Sequence, residues 1–271
     1  MKPIVFPRGK AAFPEAERRT AEADGPDLAG EPQRAPTLEL KPQGSRTLEI
    51  DPLHLESERI LPPGAAGPHA GPYKMLRTQV LRRLEKAGAN SLAVVGTTAD
   101  TGKTLTAINL AIAIAADPER TALLVDLDLR KPSIHRRFGI EPTTGIDDCL
   151  RRGRPVREAM VRVGGYERLV VVPARERCED SSELLSIRRM QELTQELRAR
   201  YPDRVLVFDL PPVLQADDAL AFVKQVETVL IVVGEGRTRR DDLLRTLDLL
   251  RDATIIGTVL NGTRERVDRY Y

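Results

Sequence analysis

"SLAVVGTTADTGKTLTAINLAIAIAA", residues 91–116, decides how the rest of the chain is read. An apolar, β-prone run (91–95) enters a polar stretch, 96–104, and then "KTLTAINLAIAIAAD" (103–117), which has the composition of a buried helix. The polar stretch ends in Gly102-Lys103-Thr104, as a phosphate-binding loop ends. Its leading Gly96 stands one residue earlier than G-x-x-x-x-G-K-[ST] requires, and Thr97 holds the expected place. At a helix start the backbone N–H groups are unpaired and the dipole favours an anion. Gly102 lets the main chain approach phosphate, Lys103 is expected on the β- and γ-phosphates, and the Thr104 hydroxyl on Mg²⁺. The bland alternative is an ordinary strand-to-helix turn.

Working outward, five further apolar runs follow: "ALLVD" (122–126), "RLVVVP" (168–173), "VLVFD" (205–209), "VLIVV" (229–233) and "TIIGTVL" (254–260). They are apolar on consecutive residues, as parallel strands covered on both faces are. Amphipathic stretches alternate with them. "YKMLRTQVLRRLEKA" carries Met75, Leu76, Val80, Leu81 and Leu84 at helical spacing, and "ELLSIRRMQELTQELRARY" carries Leu184, Leu185, Ile187, Met190, Leu193 and Leu197 on one helical side. The expected fold is a three-layer α/β sandwich with a mainly parallel sheet. Ligands of such sheets bind beyond the carboxyl ends of the strands. Asp126 and Asp128 lie there, two residues apart and so on one side of an extended chain, and Asp209 ends another buried strand. Asp209 is placed to hold Mg²⁺ directly or through water. Asp217 and Asp218 either join this acidic set or cap the helix "ALAFVKQV".

Composition narrows the function classes. Forty-two basic against forty acidic side chains give a net charge of +2, which argues against nucleic acid as a partner. Cys149 and Cys178 have no metal-ligand spacing and are read as reduced thiols. The start, "MKPIVFPRGK", has no signal-peptide pattern, and "AINLAIAIAA" (107–116) is far shorter than the ~20 apolar residues that span a bilayer. Twelve of the 20 prolines fall within residues 1–72. Residues 1–70 therefore read as a disordered arm that cannot bury enough apolar surface to offset its ordering entropy. "TLEIDPLHL" (47–55) is the exception, either a short docking strand or a chance apolar cluster. His135 reads as a packing or capping residue and "RRGRP" (151–155) as a solvated turn.

Three segments, "GTTADTGKTLTAINLA", "LLVDLDLRKPSIHRRFG" and "VFDLPPVLQADDALAF", resemble the Walker motifs of bacterial tyrosine kinases, the autokinases of capsule and exopolysaccharide loci. The Asp-x-Asp-x-Arg at 126–130 is the most specific of them. The resemblance spans roughly residues 70–271 and implies a MinD/ParA-like P-loop NTPase fold, with a kinase domain over 71–265 and a tyrosine tail over 266–271. It implies that Lys103 and Thr104 hold ATP and Mg²⁺, that Asp209 positions the metal, that Asp126 assists removal of the tyrosine proton, and that Asp128 supports the metal or the phosphate geometry. Asn261 matches an adenine contact of the wider superfamily, or is a turn-forming Asn-Gly. Tyr270 and Tyr271 are the implied phosphoacceptors. The implied partners are a membrane-anchored activator of the chain-length-regulator class, further copies of the chain, and a cognate tyrosine phosphatase. Such a kinase sits in the cytoplasm, held at the inner face of the plasma membrane by its activator. The family's Glu-x-x-Arg-x-x-Arg ring pattern reads Gly71, Lys74 and Arg77 here, which removes the carboxylate half of the expected ion pair.

Two other functions fit parts of the pattern. A MinD/ParA-like positioning ATPase carries a second lysine at the place of Thr98, and a nucleotide-dependent scaffold would not need the full set Lys103, Thr104, Asp126, Asp128 and Asp209.

Overall fold

All six apolar runs are strands in the computed structural model, which describes residues 46–67, 69–200 and 203–263. The strands are β1 (Arg46–Leu48), β2 (Ser91–Gly96), β3 (Thr121–Asp126), β4 (Val161–Val163), β5 (Leu169–Val172), β6 (Arg204–Asp209), β7 (Thr228–Gly234) and β8 (Ile255–Asn261). They form one sheet in the order β1-β4-β5-β3-β6-β2-β7-β8. From β5 to β8 every neighbouring pair is parallel; β4 runs antiparallel to β5, and β1 pairs parallel with β4.

The helices are α1 (Pro52–Ser57), α2 (Ala70–Ala87), α3 (Lys103–Ala115), α4 (Ile134–Phe138), α5 (Ile146–Arg152), α6 (Val156–Ala159), α7 (Ser181–Ser186), α8 (Arg188–Arg200), α9 (Asp218–Phe222) and α10 (Arg240–Leu249). Alternate side chains of each central strand feed two cores. Leu92, Val94, Leu124 and Val207 pack with α2 and α3 on one face; Ala93, Val95, Leu123, Leu206 and Phe208 pack with α5, α7, α8 and α9 on the other. Helix α3 is buried nearly all round, which its Ala/Ile composition permits. The expected three-layer sandwich is borne out.

Two helical expectations need correction. In α2 the buried stripe is Leu76, Val80 and Leu84, spaced i, i+4, i+8, whereas Met75 faces outward with 57% of its surface exposed. The stretch 183–201 is broken at Ile187, whose backbone is extended (φ −68°, ψ 154°), and Ile187 leaves the apolar side at 36% exposure. Gln225 Nε2 donates to the Leu185 carbonyl at 2.6 Å and so takes an acceptor that a continuing helix would have used.

The arm also ends earlier than residue 70. Residues 46–66 lie on the body of the protein, with Leu55, Ile60, Leu61 and Ala65 buried. Local composition hides this because the stabilising partners are distant. Strand β1 pairs with β4, the Asp51 carboxylate accepts from Leu53 N (2.9 Å) to cap α1, and Asn109 of α3 holds the chain at Leu61 N and Arg59 O. "TLEIDPLHL" is therefore a seated segment, part strand and part helix. The remainder of the expected arm, 1–45, and the tail with Tyr270 and Tyr271 lie outside the described residues. Among the described residues no helix is long and apolar enough to cross a membrane.

Candidate active site

The loop between β2 and α3 folds back on its own first residue. A Cβ at Gly96 would lie 2.5 Å from Thr101 Oγ1, so the glycine that stands early in the motif is required by this closure. Gly102 has φ +83°, and a Cβ there would meet Asn261 Nδ2 at 2.0 Å. The loop is braced from three strand ends. Asn261 Nδ2 donates to Thr101 O (3.0 Å), Arg237 Nη1 to Asp100 O (2.8 Å), and Val213 N to Gly96 O (2.9 Å).

Lys103, the first residue of α3, is only 9% exposed and turns toward the ends of β3 and β6. Its Nζ lies 2.7 Å from Asp128 Oδ2, 3.2 Å from Thr104 Oγ1 and 3.5 Å from Asp209 Oδ1. Thr104 Oγ1 donates to Asp209 Oδ2 at 2.6 Å. Asp126 sits beside this group in register with Asp209. Its Oδ2 accepts from Ser133 N and Ile134 N (both 3.0 Å), and its Oδ1 from Asp128 N (3.3 Å). The structure thus brings Gly102, Lys103, Thr104, Asp126, Asp128, Asp209 and Asn261 to one end of the sheet.

The charges here are strongly perturbed. Burial pulls the Lys103 ammonium down, but the carboxylates of Asp209 and Asp128 outweigh it and hold its pKa above the ordinary lysine range. Burial, and then the charge of Asp209, push Asp126 up to about 8 against the pull of the Ile134 and Ser133 amides. Asp209 is raised by burial, partly offset by Lys103 and Thr104. Two carboxylates close together in a dry site cannot both ionise cheaply.

A metal–nucleotide complex fits these residues. Asp209 Oδ1 is buried with no hydrogen-bond partner, 3.5 Å from Lys103 Nζ, and so keeps acceptor capacity beside the loop. Among the described residues no three His, Cys, Asp or Glu side chains could hold a metal unaided. Mg²⁺ at phosphate loops needs only one or two protein ligands beside phosphate oxygens and water, so the donor set suits it.

Arg130, the last residue of Asp-x-Asp-x-Arg, is a site residue to which the sequence reading attached no role. Its Nε contacts Asp218 Oδ1 at 2.9 Å and its guanidinium reaches Asp217 at 3.5 Å, tying the turn after β3 to the start of α9. Asp218 is fully buried, and neither it nor Asp217 makes a side-chain cap. His135 lies in α4, lowered by burial and by the Arg136 charge and bonded to the Ala174 backbone, a packing role. The arginines of "RRGRP" pair with Asp180, Asp148 and Glu158. Cys149 and Cys178 are free and buried, and burial pushes the Cys149 thiol up to about 12. Arg77 donates to Ala113 O at 3.3 Å, and among the described residues no acid pairs with it. A cavity of about 530 Å³ lies at the other, amino-terminal end of the sheet, lined by Asn90, Arg120, Arg204 and Glu227, remote from this chemistry.

Residues 92–268 match the CobQ/CobB/MinD/ParA nucleotide-binding domain. Tyrosine-protein kinase YwqD of Bacillus subtilis is 28% identical over 194 residues, covering 71% of this chain and 80% of YwqD. Putative tyrosine-protein kinase EpsB of Ralstonia nicotianae is 32% identical over 203 residues, 73% of this chain; the matched region spans only 26% of EpsB. Among solved structures, the kinase domain of the Escherichia coli tyrosine kinase Etk superposes with a TM-score of 0.66 at 27% identity, covering 74% of this chain and 78% of that domain. The resemblance of the three motifs to bacterial tyrosine kinases is borne out by these relatives. With its loop, its paired strand-end carboxylates and its parallel sheet, the chain belongs to the family of CobQ/CobB/MinD/ParA nucleotide-binding domains, alongside bacterial tyrosine kinases.

Proposed function

We propose that the chain is a protein-tyrosine autokinase that uses ATP and Mg²⁺, passes the γ-phosphoryl group to Tyr270 and Tyr271, and so regulates exopolysaccharide polymerisation and export. One observation carries the reading. Lys103, Thr104, Asp128 and Asp209 converge through contacts of 2.6–3.5 Å, with Asp126 beside them and Thr98 where a positioning ATPase has its second lysine. The kinase relatives support the same chemistry.

The loop amides and Lys103 would hold the phosphates, Thr104, Asp209 and Asp128 the Mg²⁺, and Asn261 the base. The bound complex supplies the phosphoryl group and a neutralising cation; positioning and charge are the protein's share. A phenol of pKa ~10 must lose its proton as it attacks. Asp126, held above the ordinary carboxylate range, is the proposed acceptor, since a base works best with a pKa near the operating pH. Asp126 has no exposed surface, so the turn 127–130 has to shift before a phenol reaches it. Lys103 would give up one of its contacts to Asp128, Thr104 or Asp209 to meet phosphate.

The reading extends to a membrane-anchored activator that holds the kinase at the inner face of the plasma membrane, to phosphorylation between copies of the chain, and to removal of the label by a cognate phosphatase. Incubation of the full chain with labelled ATP and Mg²⁺, with and without an activator tail, tests it. Label on Tyr270 or Tyr271 that is lost in Lys103→Met supports the kinase. Free phosphate without protein label favours a positioning ATPase, and bound nucleotide with neither product a scaffold.

A further inference from the structure

Helix α4 is five residues long, too short to hold itself, yet its first amides fix Asp126. Ile134 and Phe138 bury one side of α4 in the core, and the segment preceding the kinase domain holds it from outside. His54 Nε2 donates to Arg136 O at 3.0 Å, and Glu58 Oε2 accepts from Arg137 Nη1 at 2.9 Å. Gly139, which ends α4 with φ +66°, lies against the His54 ring, where a Cβ would be 3.1 Å from Cδ2. From below, Phe138 packs edge-on to Tyr166 (centroids 6.3 Å apart), and the Tyr166 hydroxyl donates to Leu61 O at 2.7 Å. The same segment is clipped to α3, the helix that begins at Lys103. Asn109 Oδ1 accepts from Leu61 N (2.9 Å), and its Nδ2 donates to Arg59 O (3.0 Å). Residues 51–61 therefore touch both helices that carry the site: the one that starts at the phosphate loop and the one that caps Asp126.

We propose that residues 51–61 form a clasp that joins the N-terminal arm to the catalytic turn: seated on α4, it holds the Ser133 and Ile134 amides on Asp126, and lifted, it releases them and lowers phosphoryl transfer. His54 and Glu58 are positioning residues, since neither reaches the site itself. The hold of the clasp on α4 is its weak part: α1 has only six residues, Leu53 is 74% exposed, and the Glu58–Arg137 pair is about one-third exposed on each side, while Leu55, Ile60 and Leu61 anchor the segment in the core. Exposed pairs of this kind are individually weak.

The role in transfer rests on the kinase reading; the mechanical coupling does not, and the test separates them. In the full chain, compare wild type with His54→Ala/Glu58→Ala and with the charge swap Glu58→Arg/Arg137→Glu. Measure amide exchange of Ser133 and Ile134 without nucleotide, affinity for a fluorescent ATP analogue, melting temperature, and kcat for tyrosine labelling. The clasp predicts about tenfold faster exchange at these two amides and about tenfold lower kcat in the double-alanine variant. Affinity should change less than about twofold, melting should stay cooperative, and the charge swap should recover most of the rate. Unchanged exchange at both amides overturns the proposal, as does a rise in kcat. Parallel loss of affinity, melting temperature and rate overturns it too, because that is what a merely structural segment produces. Faster exchange in a protein whose wild type labels no tyrosine sustains the coupling and sinks the kinase reading instead.

Discussion

Replacing Asp126 by Asn is expected to make the protein less active and, at alkaline pH, more stable. The carboxyl is pushed up to about 8 by burial and by Asp209, against an ordinary value of ~3.9 in the unfolded chain. Between those values the folded state keeps a proton that the unfolded state has released. Unfolding free energy therefore falls as pH rises, by at most about 1.4 kcal/mol per pH unit. The contribution is whole below pH ~4 and is lost by the time pH has passed the folded value. Asparagine removes this linkage. Its Oδ1 can still accept the Ser133 and Ile134 amides, but its amino group then faces Asp128 N, 3.3 Å from the oxygen it replaces. Losing that bond costs about 1 kcal/mol. The two effects nearly cancel at pH 5 and leave a net gain of up to about 4 kcal/mol at pH 8. Urea unfolding followed by circular dichroism at both pH values, without metal or nucleotide, measures the difference. Tyrosine labelling by the same variant should fall about 100-fold. A variant destabilised equally at pH 5 and pH 8 would refute the reasoning, since it would mean that Asp126 is an ordinary ionised hydrogen-bond acceptor.

Lys103→Met should abolish tyrosine labelling and also lower the melting temperature, because Asp209 then lacks its buried counter-ion; the loss should reach about 3 kcal/mol at pH 8 and shrink toward pH 5, by differential scanning fluorimetry. Gly102→Ala should eliminate nucleotide binding in titration calorimetry, since its Cβ would fall 2.0 Å from Asn261 Nδ2. Pairing it with Asn261→Gly should restore stability only in part, the backbone strain of φ +83° remaining at about 1 kcal/mol. Arg130→Ala should cost about 1–3 kcal/mol in chemical denaturation by stranding buried Asp218, and Asp218→Asn in the same chain should recover most of it.

The parallel sheet was legible because covered strands leave an unmistakable trace, apolar residues on consecutive positions such as 91–95 and 205–209. The strand-end residues were legible for a related reason: Lys103, Thr104, Asp126 and Asp209 occupy positions that the β-α order sends to one edge. What stayed hidden depends on partners far away in the chain. Strands β1 and β4 have three residues each and owe their existence to one another and to β5. Residues 56–61 looked like part of a polar arm, and 47–55 like no more than a short docking strand or a chance cluster, because Asn109, Arg136 and Tyr166 lie dozens of residues downstream. Spacing put Asp126 and Asp128 on one side but not their division of labour: Asp128 pairs with Lys103, while Asp126 holds the start of α4. Asp218, left between a helix cap and the acidic set, is instead the buried partner of Arg130. A break such as that at Ile187 leaves no periodic signal, since it is enforced by Gln225 from another element.

The Lys103 ammonium faces Asp128, Thr104 and Asp209, one partner for each of its three N–H groups, so a phosphate has to displace one of them. A triphosphate that captured it alone would strand two buried negative charges, while a divalent cation arriving alone would crowd a lysine already in place. Each ligand therefore removes the obstacle facing the other. Nucleotide and metal should bind with positive coupling, on the order of 1–3 kcal/mol, and either one alone should bind poorly.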